Sequence, residues 1–311
     1  MGILIGMSCR ERNWKKLLRK HAPLLLPAAG DALTAKLIQQ AGFPAYQIGG
    51  FTLDGMRFGF PDMDVTRLAE KSAAAREIIA ACDLPVLIDA DDGYGDAKSV
   101  AHTIHTYDDM GAAAIFIEDQ KAPKRCGHMA GKEVVPMPEM EKKIRAAVST
   151  RRDRNELFLI ARTDAREPNG LEDALRRAER YLKSGADGIY VEGLHNLAEL
   201  RTVGRQFKGV PLAVTILEGG GKTPWIAPDV LHDLGFSMVL YPTTVLFRVT
   251  RAIQRALQDI KSGKSMPKND AVDMIEFERI VDIAYWKSLE QQVVPLPERL
   301  RQIVNKIFKA A

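Results

Sequence analysis

Short apolar runs, many of them β-branched, recur along the chain at residues 24–28, 45–50, 85–91, 113–119, 157–164, 188–192, 211–217 and 236–242. Runs of this length with few polar interruptions suit strands buried on both faces. The segments between them place apolar residues at helical spacing, so the chain reads as strand then helix, repeated. The clearest helix spans 171–184, with Ala174, Leu175, Ala178, Tyr181 and Leu182 on one apolar stripe. Glu172, Arg176, Arg177 and Glu179 are expected to face water, and Gly185 is placed to end the helix. Asp31 and Asp64 are expected N-caps of two earlier helices, and Gly42 and Gly111 close others.

Eight such units predict an α/β fold of the TIM-type (β/α)8 barrel class, ahead of a doubly wound open sheet. The polar residues support the barrel. Gly49 and Gly50, Asp89 and Asp91, Glu118 and Asp119, Arg162 and Asp164, Glu192, and Thr215 with Glu218 all fall at or just past the C-terminal ends of expected strands. In a parallel barrel those ends meet at one mouth, so residues distant in sequence become neighbours. Past the last strand, Thr244–Lys261, 274–290 and 298–309 read as helices, with a linker at 263–269. The expected organisation is a catalytic barrel over 1–250 and a helical extension over 251–311. Ile275, Phe277, Ile280, Ile283, Trp286 and Leu289 give that extension apolar faces, which suit a neighbouring subunit.

Composition narrows the class without naming a function. With 311 residues, 46% hydrophobic and 27% charged, the chain can bury one large core. A net charge of +4 spread along helices does not suggest nucleic acid, and no apolar run is long enough to span a bilayer, so a cytoplasmic protein is expected. Cys9, Cys82 and Cys126 make an odd, scattered set that suits a reducing compartment and offers neither a disulfide framework nor a zinc pattern.

The candidate chemistry lies around Lys124, Arg125, Cys126, Gly127 and His128, just downstream of Glu118. Positive neighbours favour a thiolate, so Cys126 is expected to exchange a proton near neutral pH. Asp89, Asp91 and Glu118 are hard oxygen ligands of the kind that Mg2+ or Mn2+ prefers.

Taken together these residues resemble the isocitrate lyase/phosphoenolpyruvate mutase superfamily over roughly residues 24–289. The Lys-Arg-Cys-Gly-His run is specific to its lyase branch, and the chain looks most like the short members: the methylisocitrate and 2,3-dimethylmalate lyases and the petal death protein. Phe60-Pro61-Asp62, Asp89-Ala90-Asp91, Ala161-Arg162-Thr163-Asp164 and Gly220-Gly221-Lys222-Thr223-Pro224 extend the likeness. The resemblance implies Mg2+ held by Asp89, Asp91 and Glu118, with Asp62 beside them as an outer carboxylate. It implies a catalytic group of Lys124, Cys126, His128 and Arg162, with Cys126 as proton donor on a mobile loop. It implies substrate contacts from Gly49, Gly50, Phe51, Gly127, Glu192 and Thr215, and a homotetramer exchanging terminal helices. Three positions depart from the family pattern: Gly49 stands in place of a serine, Gln47 of a tyrosine, and Thr215 or Ile216, depending on where the extra glycine of 219–221 is placed, of an asparagine.

The expected function is therefore Mg2+-dependent carbon–carbon cleavage of a 2-hydroxy di- or tricarboxylate, of alkylmalate or methylisocitrate type, into a 2-oxo acid such as pyruvate and a saturated carboxylate. Phosphonate chemistry, as in a phosphonopyruvate hydrolase or phosphonomutase, or oxaloacetate decarboxylation, is the alternative on the same fold. An inactive ligand-binding scaffold is the non-enzymatic one.

Overall fold

A computed structural model describes residues 12–153, 157–267, 269–293 and 296–308. Cys9 lies outside them. The eight expected strands are present: β1 (Leu24–Pro27), β2 (Tyr46–Ile48), β3 (Val86–Asp89), β4 (Ala114–Glu118), β5 (Phe158–Thr163), β6 (Gly188–Val191), β7 (Leu212–Thr215) and β8 (Phe236–Tyr241). All pairings are parallel and run in sequence order from β2 to β8, with β8 returning to β1. The ring closes between β1 and β2 at one bridge, Ala28 to Gln47, where the Ala29 N–H donates to the Gln47 carbonyl at 2.9 Å. This is a nearly closed TIM-type barrel.

Strand periodicity of two sorts the residues into two cores. Leu24, Leu26, Leu87, Ala114, Phe116, Phe158, Ile160, Tyr190, Ala213, Met238 and Leu240 fill the interior. Ile48, Val86, Ile88, Ile115, Ile117, Leu159, Ala161, Ile189, Val191, Leu212, Val214 and Val239 face the helices. A short helix, Trp14–Lys20, joins the interior set through Trp14, Leu17 and Leu18, and the Trp14 Nε1–H reaches the Met238 sulfur at 3.4 Å. Each Val, Leu, Ile, Phe or Met side chain buried this way contributes roughly 1.5–3 kcal/mol. Continued one or two steps along β3, β5, β6 and β7, the inward register arrives at Asp89 and Asp91, Arg162 and Asp164, Glu192, and Thr215.

The helix signals divide. Asp31 caps Ala32–Gln40 by accepting the Thr34 N–H at 2.7 Å, and Gly42, Gly111 and Gly185 take the positive φ that ends their helices. Asp64 is not a cap. It sits at φ 63°, paired with the Arg67 side chain, and the next helix, Leu68–Ala80, starts after Arg67, whose N–H donates to Glu70 at 3.1 Å. Arg177 does not face water either. It is buried against the Asp119 carboxylate, the Val135 carbonyl and the Tyr181 hydroxyl, because Asp119 is buried and its charge needs a partner.

The chain falls into two compact units, Met1–Gln254 and Arg255–Ala311. The helix Thr244–Lys261 has the expected bounds. In the second unit the expected single helix over 274–290 is two, Met274–Ile280 and Ile283–Gln292, because Asp282 at φ 56° interrupts the ladder. Leu296–Phe308 follows. No helix among the described residues is long and apolar enough to cross a membrane.

Gly204 packs its helix, Leu197–Gln206, directly on the segment before β8: a Cβ there would lie 1.7 Å from the Leu234 carbonyl oxygen. Gly204→Ala is expected to destabilise the protein by about 3 kcal/mol. Urea unfolding checks this, and an unchanged midpoint would show that the helix can shift freely.

Candidate active site

The C-terminal ends of the strands surround a half-enclosed cavity lined by Gly49, Gly50, Phe51, Asp62, Asp89, Cys126, Gly127, His128, Arg162, Glu192 and Thr215. Gln47, Phe116, Tyr190, Leu217, Leu240 and Pro242 complete the lining. The interior is narrow, with about 40 Å³ in which the centre of a water-sized sphere can move. Asp91, Glu118 and Lys124 lie behind this wall, buried and in contact with residues that form it.

The floor is acidic. Asp89 accepts the Gly50 N–H at 2.9 Å and the Asp91 N–H at 3.0 Å, one on each oxygen. Asp91 accepts the Lys71 ammonium at 2.6 Å on one oxygen, and its other oxygen faces the Lys124 ammonium, which also pairs with Asp62. Burial opposes the charge on Asp91, but Lys124 and Lys71 outweigh it and hold the carboxyl well below the ordinary range. Asp89 moves the other way, raised by burial and by the Asp91 charge. Glu118 is raised by burial, against the pull of Arg162, and its Oε1 is buried with no hydrogen-bond partner.

Arg162 forms the opposite wall. Its guanidinium makes a two-point contact with Asp164 at 2.8 and 3.1 Å, lies 3.3 Å from Glu118 and 3.5 Å from Glu192, and packs against the rings of Phe116 and Tyr190. Tyr190 bridges Glu192 and Thr215 through its hydroxyl, and Glu192 also accepts the Gly193 N–H at 2.7 Å. His128 Nδ1 accepts the Lys222 N–H at 3.0 Å. Burial, joined by Arg162 and opposed by Glu192, lowers the His128 pKa, so the ring is neutral and its Nε2–H points toward Glu192, 3.5 Å away.

The roof is the loop carrying Cys126. The Cys126 N–H donates to the Asp62 carbonyl at 2.9 Å, and the Gln120 side chain brackets Arg125 at both its N–H and its carbonyl. Lys132 holds the Gly127 carbonyl and pairs with Asp164 at 2.9 Å. Gly127 lies so close to the mouth that a Cβ would be 2.4 Å from Arg162 Nη2 and 2.5 Å from Glu192 Cγ.

The geometry reverses one expectation. Cys126 is not a low-pKa thiol: burial, then the Asp62 charge, push it up to about 12, against the help of the His128 N–H. Its basic neighbours in sequence point elsewhere, Lys124 to Asp62 and Asp91, and Arg125 to the Ala130 carbonyl. Lys124 is thus a partner of the acidic floor.

Hard oxygens, a partnerless Glu118 Oε1 and carboxylates crowded against each other fit a divalent cation at Asp89 and Glu118. Among the described residues, however, no three His, Cys, Asp or Glu side chains converge as a ready ligand set. The ammonium groups on Asp91 are the reason at that residue.

Residues 14–261 match the family model described as phosphoenolpyruvate phosphomutase. The chain belongs to this family. It is 36% identical to the chloroplastic carboxyvinyl-carboxyphosphonate phosphorylmutase of Arabidopsis thaliana, over 90% of this chain and 84% of the relative. It is 35% identical to the 2-methylisocitrate lyase of Bacillus subtilis (strain 168), over 91% and 94%. The crystal structure of a 2,3-dimethylmalate lyase, of the phosphoenolpyruvate mutase/isocitrate lyase superfamily, superposes with a TM-score of 0.83 at 30% identity, covering 90% of this chain and 93% of the other.

Sequence reasoning missed Lys71, Phe116 and Tyr190; Lys132 it marks only as part of the family likeness, with no role. Lys71 had a signal: it stands on the apolar stripe of its helix with Ala74, Ala75 and Ile78, where a charge requires a buried partner. Gly127→Ala is expected to lift the loop from the mouth while costing under about 1 kcal/mol of global stability, since only the lid contact is lost. Hydrogen exchange over residues 126–132 should then speed up; unchanged protection would mean that the close approach at Gly127 does not hold the lid.

Proposed function

We propose that this chain is a divalent-metal-dependent carbon–carbon lyase, cleaving a 2-hydroxy di- or tricarboxylate of alkylmalate or methylisocitrate type into a 2-oxo acid and a saturated carboxylate. The observation that carries this reading is the Cys126 thiol roofing the same cavity whose floor holds Asp89 and whose wall holds Arg162. Likeness to the lyases above supports the reaction class.

Asp89 and Glu118 would hold Mg2+, or Mn2+, with Asp91, paired with Lys71 and Lys124, beside them and Asp62 outside. Bound there, the ion would supply a positive charge for the 2-hydroxy acid oxygens on which negative charge develops. The chain's own residues do the rest. The Arg162 guanidinium stands at the cavity to orient carboxylate oxygens, and neutral His128 offers its Nε2–H. Thr215 and Glu192, joined through Tyr190, offer polar contact at the far side.

When the bond between the hydroxyl-bearing carbon and its neighbour breaks, the hydroxyl carbon becomes the 2-oxo group and the electron pair goes to the carbon beside the departing carboxylate. That carbon takes the Cys126 proton, leaving a thiolate, while the hydroxyl proton goes to a base. A weakly acidic thiol suits this step, because the proton stays on sulfur at neutral pH until a much stronger base forms beneath it. Closure of the loop over substrate would keep water from supplying the proton first.

A phosphonate reading on the same site is favoured by the likeness to the Arabidopsis phosphorylmutase and by the phosphoenolpyruvate phosphomutase description of the matching family model. A homo-oligomer contacting through the C-terminal helices is also proposed, supported by the exposure of Met274, Ile275, Phe277 and Trp286.

Cys126→Ser is expected to lower turnover at least about 1,000-fold, within reach of losing a positioned acid, with KM little changed. Release of 2-oxo acid from malate, citramalate, dimethylmalate, methylisocitrate, isocitrate and oxaloacetate, with Mg2+ and with chelator, reads this out. Retained activity in the serine variant removes the proton-donor role. Phosphate release from phosphonopyruvate without any 2-oxo acid from the hydroxy acids would favour the phosphonate reading.

A further inference from the structure

Lys71 is a buried ammonium inside the acidic floor. It rises from helix Leu68–Ala80 on the face that carries Ala74, Ala75 and Ile78, and its side chain is 1% exposed. Its Nζ lies 2.6 Å from Asp91 Oδ2 and 3.4 Å from Asp54 Oδ2. Asp54 is itself buried and fixed by the Thr66 hydroxyl at 2.6 Å on its other oxygen, so Oδ2 is the one left facing Lys71. The ammonium also borders the corner where Gly50, Asp89 and Asp91 meet: a Cβ on Gly50 would lie 3.2 Å from an oxygen of each aspartate and 3.3 Å from Lys71 Nζ. With Lys124 against Asp91 Oδ1, both oxygens of that carboxylate face positive charge.

A fixed cation at this place has two consequences. It neutralises part of the carboxylate charge without any metal, so the floor stays assembled as it stands. It also opposes a divalent ion, both by occupying an oxygen of Asp91 and by direct repulsion, which at a few ångströms and an effective dielectric near 20 exceeds about 1.4 kcal/mol, or ten-fold in binding. We propose that Lys71 is a resident cation of this pocket that shares Asp91 with the divalent ion and sets how weakly that ion is held. The inference rests on the divalent-cation reading of the proposed function. It adds a residue from a different element, one that governs metal occupancy and not the cleavage step.

The test is direct binding of Mn2+, followed by its electron paramagnetic resonance signal, to the full-length protein, Lys71→Met, Lys71→Arg and the double variant Lys71→Met/Asp54→Asn. The double variant removes the carboxylate that the single variant leaves without its cation, and so decides the matter if the single variant does not fold. Loss of the ammonium should tighten Mn2+ binding at least about ten-fold, while the arginine variant, which keeps the charge, stays within about three-fold of the parent. Unfolding temperature with and without Mn2+ should follow the same order, with the larger rise in the proteins lacking the charge. Equal or weaker Mn2+ binding without Lys71 overturns the inference and leaves the lyase reading intact. Absence of Mn2+ binding in all four proteins overturns it together with the metal part of the proposed function, whatever the 2-oxo acid assay shows.

Discussion

Five carboxylates, those of Asp54, Asp62, Asp89, Asp91 and Glu118, share one poorly solvated end of the barrel, and their mutual repulsion is the constraint that the rest of the site answers. Two like charges 4–5 Å apart at an effective dielectric near 20 repel by about 3–4 kcal/mol. Each group therefore has an assigned counterweight. Asp54 has Thr66 and Lys71, Asp62 has Lys124, Asp89 has two backbone N–H groups, Asp91 has both lysines, and Glu118 has Arg162. Removing one partner from such a set typically costs about 3–5 kcal/mol, because a buried charge is left uncompensated. The conformations of Gly50 and of the segment after β3 belong to this balance, since they deliver the N–H groups.

The roof is tied to the floor through Asp164. That carboxylate takes two donors from Arg162, whose Nε also lies against Glu118, and the Lys132 ammonium, which holds the Gly127 carbonyl. A second tether runs from the β7 side, where the Lys222 N–H engages His128 and its ammonium pairs with Glu167. The glycine-rich run before Lys222 is therefore an anchor for the cysteine loop. A ligand carboxylate that draws Arg162 away from Glu192 or Asp164 would act on the same residues that seat the loop.

The barrel was legible because its information is local. Each strand announces itself as a short apolar run, and the period of two carries the inward register to Asp89, Arg162, Glu192 and Thr215 without knowledge of any partner. Glu118 and Cys126 were legible by residue type and by the resemblance of the run that contains the cysteine. What was hidden depends on contacts between distant segments. Arg177 looks like a solvated helix residue until Asp119, on another element, is seen to need it. Lys71 is the same case at the floor. Asp64 offered cap chemistry, but its left-handed backbone put the helix start beyond it.

The cysteine shows how sequence adjacency and spatial adjacency can give opposite chemistry. Lys124, Arg125 and His128 stand within two residues of Cys126, and charge counted along the chain points to a thiolate. In the folded loop successive side chains diverge: Lys124 turns down to Asp62 and Asp91, Arg125 turns out to the Ala130 carbonyl, and His128 is neutral. Burial and Asp62, both of which favour S–H, then outweigh the His128 N–H at the sulfur. A proton donor needs the proton in place at the start of the step, so a buried position serves that role better than basic neighbours would. The feature of the run most closely bound to the proposed chemistry is then Gly127, whose missing side chain lets the roof come down on Arg162 and Glu192, and only secondarily the charges that flank it.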